Sequence, residues 1–523
     1  MLRAALACAA ALCANDAKYL VVVAREAEIG YQQAAANLAK LRGGEVVAWS
    51  GEFEELEKLL TQRKPRYLAL VLPPGAVDAN LPRRLVPMLT GFDADPFVDC
   101  AWGIVTGASG DEAKRFVDRI AKASRDDLPP REFSATSVVV DECTKIGPRR
   151  ERGAIERELE RTDLWVTGKD AKWRDFVERE RDGAEKCGLV EWGHCGDSQG
   201  IWLFSMYRNR EKGEHWPYDP MRVGEDRKGE MPRLTALDLV DDVDLFPAVV
   251  VNGSCHSGVT RRTMVGPDIV STFGDTGGLV RFFDIAPEQS FTLMAIRRGA
   301  TGYIAPLAAN NANRAGIEMW WIERGGVALG EVVRRTCDEL VFGSTEGKLD
   351  FALFEDGAVP PEEAPMFADC VQRVLFGDPA FVPWRDEVPT SHRVKASAIE
   401  GGLKVEVAWS RLAEDPWVWQ PWREERAGDE LGRIYERLAL ESFPGGEAKV
   451  TVVEAFARRG KEKKPLALTA RALVERDLFD KPVLHLEALG ARKEMDARGL
   501  AGGPEELLAV FEVRFVGPKT RGG

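Results

Sequence analysis

Three apolar runs in the middle of this 523-residue chain each end in groups able to do chemistry. Leu189 to Trp192 leads into Gly193-His194, Ala248 to Val251 leads into Asn252-Gly253-Ser254-Cys255, and Thr136 to Val140 leads into Asp141-Glu142. A thiol beside an imidazole is a nucleophile–base pair. An ordinary cysteine ionises near pH 8.5, so a neighbouring imidazole raises the thiolate fraction and later returns the proton to a leaving amine. Gly253 permits a sharp turn that projects Cys255 from its strand, and backbone N–H groups beside it suit a developing oxyanion. The chemistry implied is acyl transfer. It needs all three run ends on one rim, which is where a parallel sheet gathers the carboxyl ends of its strands.

Other residues compete for these roles. His215 lies in a polar stretch, His392 at a change of texture and His485 in an apolar alternation, so none is placed like His194. His256 adjoins Cys255, and on an extended chain adjacent side chains point opposite ways, which argues against it as the base. His194-Cys195 and Cys255-His256 form two His/Cys pairs, but neither has the Cys-x-x-Cys spacing that brings two ligands from one turn to a zinc ion. The acids Asp241, Asp242 and Asp244 lack the glycine turn of a calcium loop, so no cofactor is expected and calcium has no clear motif.

The elements that must position these groups follow from the patterning. Tyr19 to Val23, Glu45 to Trp49, Tyr67 to Leu72 and Trp102 to Val105 read as strands; Gln32 to Leu41, Phe53 to Gln62 and Asp111 to Ile120 read as helices between and after them. Apolar strands alternating with helices indicate a parallel sheet covered on both faces. A second α/β segment follows from Phe133. It has charged helices at Glu151 to Arg161 and Lys172 to Arg181, a polar excursion from Arg208 to Arg233, and helices at Glu288 to Arg297, Val327 to Leu340 and Ala364 to Leu375. After Gly377-Asp378-Pro379 the texture changes to turn-bounded alternating strands at Arg393 to Ala396, Leu403 to Trp409, Lys449 to Phe456, Pro482 to Glu487 and Val510 to Val516. In the last of these Phe511, Val513 and Phe515 share one side, as in a β-sandwich. The expected domains are a signal peptide at 1–14, α/β subdomains at 18–130 and 131–387, and a separable sandwich at 390–523.

Composition narrows the class. With 71 Lys plus Arg against 84 Asp plus Glu the net charge is −13, which argues against a nucleic-acid binder. No later stretch has the roughly 18 apolar residues of a spanning helix. Arg3, the Ala/Leu/Cys run from Ala4 to Ala14 and polar Asn15-Asp16 read as a short signal peptide, hence a secreted, periplasmic or surface location, or a cytoplasmic one if that reading fails. Cleavage after Ala14 leaves seven of nine cysteines, too sparse and irregular for a disulfide framework, with at least one thiol unpaired.

Together these motifs resemble the cysteine peptidases of the caspase-like superfamily, and within it the gingipain-type branch. The strand ending at His194 and the strand ending at Cys255 are 61 residues apart, against about 50 in caspases. Tyr19-Leu-Val-Val-Val, Trp102-Gly-Ile-Val-Thr-Gly, Arg297-Arg-Gly-Ala-Thr-Gly-Tyr-Ile-Ala and Leu375-Phe-Gly-Asp-Pro-Ala fall in that branch's order. The resemblance implies caspase-like parallel sheets with flanking helices in two α/β subdomains, then an immunoglobulin-like sandwich. It implies a cysteine endopeptidase acting on protein or peptide, with Cys255 as nucleophile, His194 as base and backbone N–H groups of Cys255 and Cys195 or Gly196 as oxyanion donors. It also implies cleavage after basic residues, for which Asp141, Glu142 or Asp197 are candidate carboxylates. There is a departure: His194 is followed by Cys195 before Gly196, where the family has Gly directly. Glu191 and Asp197 remain alternative partners to orient His194. Two rival readings stay open: an inactive relative serving as a binding or secretion-accessory module, and a cytoplasmic CHAT-like signalling protease. The oligomeric state is not legible.

Overall fold

A computed structural model describes residues 19–124, 133–137, 188–193, 195–197, 200–202, 233–239, 244–265, 281–308, 314–343, 370–385, 392–410, 431–443, 445, 447–491 and 506–516. These fall into two compact units. The first holds the described residues up to Phe92 and from Val98 to residue 385; the second holds Asp93–Phe97 and those from 392 onward.

The first unit opens with β1 (Tyr19–Ala24), α1 (Ile29–Arg42), β2 (Glu45–Trp49), α2 (Phe53–Arg63), β3 (Tyr67–Val71), α3 (Asn80–Leu89), β4 (Ala101–Val105) and α4 (Gly110–Ala123). Every residue of β4 is buried, as a strand covered on both faces requires, whereas edge strand β2 is mostly exposed. In α4 the Ser109 side chain accepts from the Glu112 N–H, Asp111 and Glu112 lie in the first turn, and Ala113, Phe116, Val117 and Ile120 form the buried face. Helices α1 and α4 cross where Gly30 meets Gly110: a Cβ on Gly30 would sit 2.3 Å from the Gly110 carbonyl carbon, so the crossing demands glycine.

The chain continues through β5 (Phe133–Ser137), β6 (Leu189–Gly193), β7 (Cys195–Asp197), β8 (Gly200–Trp202), β9 (Arg233–Thr235), β10 (Val249–Asn252), β11 (Arg262–Val265) and β12 (Arg281–Asp284). Then come α5 (Phe291–Arg297), β13 (Gly302–Pro306), α6 (Arg314–Arg324), α7 (Leu329–Gly343) and β14 (Arg373–Phe376). Nine strands form one sheet in the order β2-β1-β3-β4-β14-β13-β10-β6-β5. Strands β1 to β4 pair in parallel, as do β5, β6, β10 and β13, while β14 runs antiparallel to β13 and meets β4 at one bridge between Phe376 and Ile104. The two expected α/β segments therefore share one sheet rather than two, because β14 joins them. Asp378, just past β14, accepts from Tyr19 Oη at 2.7 Å and Arg42 Nε at 2.6 Å, which ties this late turn to β1 and α1. Short antiparallel sheets β7-β8-β9 and β11-β12 complete the unit.

Several local expectations change. The helix expected from Glu288 is a 3₁₀ turn, Pro287–Gln289, followed by α5, whose first turn is capped by Ser290 Oγ accepting from the Leu293 N–H. The helix expected up to Leu375 gives way to β14, since the apolar stretch after Arg373, Val374 to Phe376, is too short for its periodicity to separate helix from strand. Helix α6 was not anticipated. Strand β5 begins at Phe133, three residues earlier than expected, and residues 138–142 lie outside the described residues, as do the charged runs at 151–161 and 172–181. Among the described residues, no helix is long and apolar enough to cross a membrane.

The second unit contains β15 (His392–Ile399), β16 (Gly402–Ser410), β17 (Leu431–Ala439), β18 (Glu447–Arg459), β19 (Glu462–Pro465), β20 (Leu468–Glu475), β21 (Val483–Ala491) and β22 (Glu506–Val516). All pairings are antiparallel, in sheets ordered β15-β16-β22-β18-β19 and β17-β21-β20. Val405, Phe511 and Val513 of one sheet share a core with Ile434, Leu484 and Leu486 of the other. His485 is wholly buried there, between Tyr435 Oη at 2.7 Å and Glu475 Oε2 at 2.8 Å, and it stacks on Phe97 at 4.2 Å.

Candidate active site

Strands β6 and β10 are immediate parallel neighbours, with Val251 opposite Glu191 and Asn252 opposite Trp192. The Gly253 N–H continues the ladder to the Trp192 carbonyl at 2.6 Å. The chain therefore leaves β6 toward His194 and leaves β10 toward Cys255 at the same rim. On the far side of β6, β5 is in parallel register with Ser137 opposite Gly193, so its carboxyl end lies at that rim too. The loop after β3 reaches the same place: Thr260 Oγ1 donates to the Pro74 carbonyl at 2.9 Å. His194, Asp141 and Glu142 themselves lie outside the described residues, as do the side chains of Glu191, Cys195 and Asp197.

Cys255 is described, and it stands out within its turn. Its thiol is reduced and partly exposed, while Ser254, His256, Ser257 and Gly258 around it are buried. The turn is held by side chains as well as by backbone. Asn252 Oδ1 accepts from the Ser254 N–H at 2.9 Å, and its Nδ2 donates to Tyr303 Oη at 3.0 Å. Tyr303 Oη in turn donates to the Ser257 carbonyl at 2.9 Å, and Thr292 Oγ1 donates to the same oxygen at 2.6 Å. Ser257 Oγ closes the turn onto the Ser254 carbonyl at 2.7 Å, and Ser290 Oγ holds the Val259 carbonyl at 2.7 Å. The turn also lies flat on the end of β13. The His256 N–H donates to Ala308 at 2.8 Å and the Gly258 N–H to Pro306 at 2.7 Å, where a Cβ on Gly258 would come within 2.8 Å of that oxygen.

Beneath this turn sits an ion pair. Arg373 of β14, 3% exposed, donates through Nε to Glu318 Oε1 of α6 at 2.6 Å, and its Nη2 pairs with Glu318 Oε2; Glu318 is fully buried. Its Nη1 donates to the Asn252 carbonyl at 3.0 Å, so the last residue of β10 is gripped at both side chain and backbone. Deleting one member of such a buried pair costs about 3–5 kcal/mol because the other charge is stranded.

His256 proves unsuitable as a base, for a different reason from the one the extended-chain argument gives. The chain turns here, and His256 adopts φ 57°, in the left-handed region. What removes it is burial, which lowers its pKa to about 4 and leaves Nδ1 without a hydrogen-bond partner. An imidazole so placed stays neutral and cannot hold the proton a base must accept. Of the candidate calcium acids, Asp244 caps a turn by accepting from the Phe246 N–H at 2.9 Å; Asp241 and Asp242 lie outside the described residues.

The residues after His194 form β7, which pairs with β8 through Cys195 opposite Trp202 and Gly196 opposite Ile201. Among the described residues, β7 is the edge of its three-stranded sheet. Alternate N–H groups of an antiparallel edge point away from the ladder, so one of Cys195 and Gly196 directs its N–H outward and the other inward.

Sequence reasoning missed Asn252, Ser257, Thr292, Tyr303, Arg373 and Glu318. One signal was available: Arg373, next to the apolar Val374 to Phe376, must find a partner if that stretch is buried. The others act mainly through side-chain bonds that reach across 35 to 55 residues, which no local pattern encodes.

No family model matches the chain, and no curated protein matches it. A solved structure, the complex of the Porphyromonas gingivalis RgpB pro- and mature domains, aligns at 12% identity over 75% of this chain and 87% of that one, with a TM-score of 0.39. A likeness at that score is too distant to carry an argument about chemistry.

Proposed function

We propose that the chain is a cysteine endopeptidase of caspase-like architecture, with Cys255 as nucleophile and His194 as general base, followed by an immunoglobulin-like sandwich. The observation that carries this reading is the in-register adjacency of β6 and β10, whose carboxyl ends lead to these two residues at one rim. The partly exposed thiol on an otherwise buried, side-chain-braced turn supports it, since a nucleophile held in place loses little entropy on attack. His194 takes the thiol proton as Sγ attacks the scissile carbonyl carbon. The oxyanion is met by N–H groups of Cys255 and of whichever of Cys195 and Gly196 faces outward. Collapse expels the amine with the proton from His194, and water then hydrolyses the thioester. Glu191 or Asp197 orients the imidazole, and Asp141-Glu142, beyond the strand next to β6, suit a basic residue before the scissile bond.

The test is covalent. Purified protein treated with a peptidyl acyloxymethyl ketone should be labelled at Cys255, with the rate falling at least tenfold in His194→Ala. Cys255→Ser should abolish hydrolysis of a fluorogenic panel while leaving the melting transition nearly unchanged. Equal slow labelling of several cysteines, or activity surviving Cys255→Ser, would favour an inactive binding module and sink the assignment.

A further inference from the structure

Two cysteines that this chemistry does not use lie against each other. Cys337 sits on α7, and Cys370 sits in the helical turn that leads into β14. Both are buried, at 6% and 5% exposure, and Cys370 Sγ lies 4.0 Å from the Cys337 carbonyl oxygen, 33 residues back in the chain. Their thiols also hydrogen-bond to each other, and that bond together with burial pushes the Cys337 thiol well above its ordinary pKa. Two buried thiols that meet across 33 residues of chain are the arrangement from which a disulfide can close; two cysteines placed only to fill space have no need to meet thiol to thiol.

We propose that Cys337 and Cys370 form a single structural disulfide when the chain folds in an oxidising compartment. One thiolate attacks the S–S bond of an incoming small-molecule or protein disulfide, forming a mixed disulfide and releasing one thiol of the oxidant. The second thiolate attacks the protein sulfur of that mixed bond, the Cys337–Cys370 bond forms, and the second thiol leaves. Two electrons pass to the oxidant, and the two protons lost by the cysteines end on its thiols. Because the folded pair is buried and Cys337 resists ionisation, the bond closes before β14 docks and thereafter resists exchange. Cross-linking shortens the unfolded chain's reach across the intervening residues, and it fastens α7 to β14, which carries Arg373 beneath the Cys255 turn.

The full chain, unfolded, reduced and refolded in a glutathione/glutathione-disulfide buffer, is alkylated and mapped by non-reducing mass spectrometry. The expected result is one linked peptide pair carrying Cys337 and Cys370, lighter than the sum by two hydrogen atoms and split by dithiothreitol. Reductant should lower the melting temperature of that protein by about 5 °C, an effect on the scale of one closed loop, and should not move a Cys337→Ala/Cys370→Ala protein. Both cysteines recovered alkylated, or either linked to another cysteine, would overturn the proposal, as would a melting temperature equally insensitive to reductant in both proteins.

Discussion

At position 256 the backbone and the side chain set different demands, and they can be separated. The left-handed φ excludes β-branched residues but is tolerated by Asn, whereas the buried imidazole titrates and an amide does not. With a folded pKa of about 4 against roughly 6.5 unfolded, the unfolded chain binds the proton more readily. Stability from this group is therefore intact above pH 6.5 and is lost as pH falls toward 4, by about 3 kcal/mol in all. Urea unfolding of the native protein and of His256→Asn between pH 7 and pH 4 should show a clearly flatter pH dependence in the variant. Identical slopes would mean that the imidazole is not shut away from water. The same residue explains why a histidine next to a candidate nucleophile is passed over: a base must be able to carry the proton, and at pH 7 this one stays neutral.

At the scale of elements, β10 and β13 act as a clamp on the Cys255 turn. Tyr303 Oη receives Asn252 Nδ2 and donates to the Ser257 carbonyl, so one hydroxyl spans the strand end and the turn. Tyr303→Phe keeps the ring but strands the amide donor, which costs about 1–3 kcal/mol. Because Thr292 still holds the Ser257 carbonyl, the variant should fold and show a lower kcat with KM little changed. A rise in KM alone would place Tyr303 in substrate binding rather than in bracing the turn. The strands that build this clamp were legible: Tyr19 to Val23, Tyr67 to Leu72 and Ala248 to Val251 are too apolar and β-branched for any other use. The sheet order was not, since the pairing of β6 with β10 depends on which crossover brings residues some 60 positions apart together. β14 was misread as helix because four residues hold too few periods to distinguish the two, and Glu318 could not be matched to Arg373 because the pair is 55 residues apart.

On the scale of the whole chain, the change of texture near Glu387 suggests a sandwich that can be cut away, and the grouping of Asp93–Phe97 with the second unit argues against a clean cut. Phe97 is 1% exposed, and its ring lies nearly parallel to that of His485, at 9° and 4.2 Å. Asp95 Oδ2 accepts from the Arg476 N–H at 2.7 Å. A chain ending at Glu387 keeps Phe97 and Asp95 but removes both partners. Uncovering the ring forfeits about 1.5–3 kcal/mol of burial and leaves an aromatic side chain in water. The truncated protein should therefore melt several degrees below the full chain and bind a hydrophobic dye. Adding Phe97→Ser to it should reduce dye binding and aggregation, because the exposed ring is then gone. Calorimetry and dye fluorescence on the three proteins decide the matter. A truncated chain with an unshifted melting transition and no dye binding would show that the sandwich is a passenger, and that residues 93–97 do not need it.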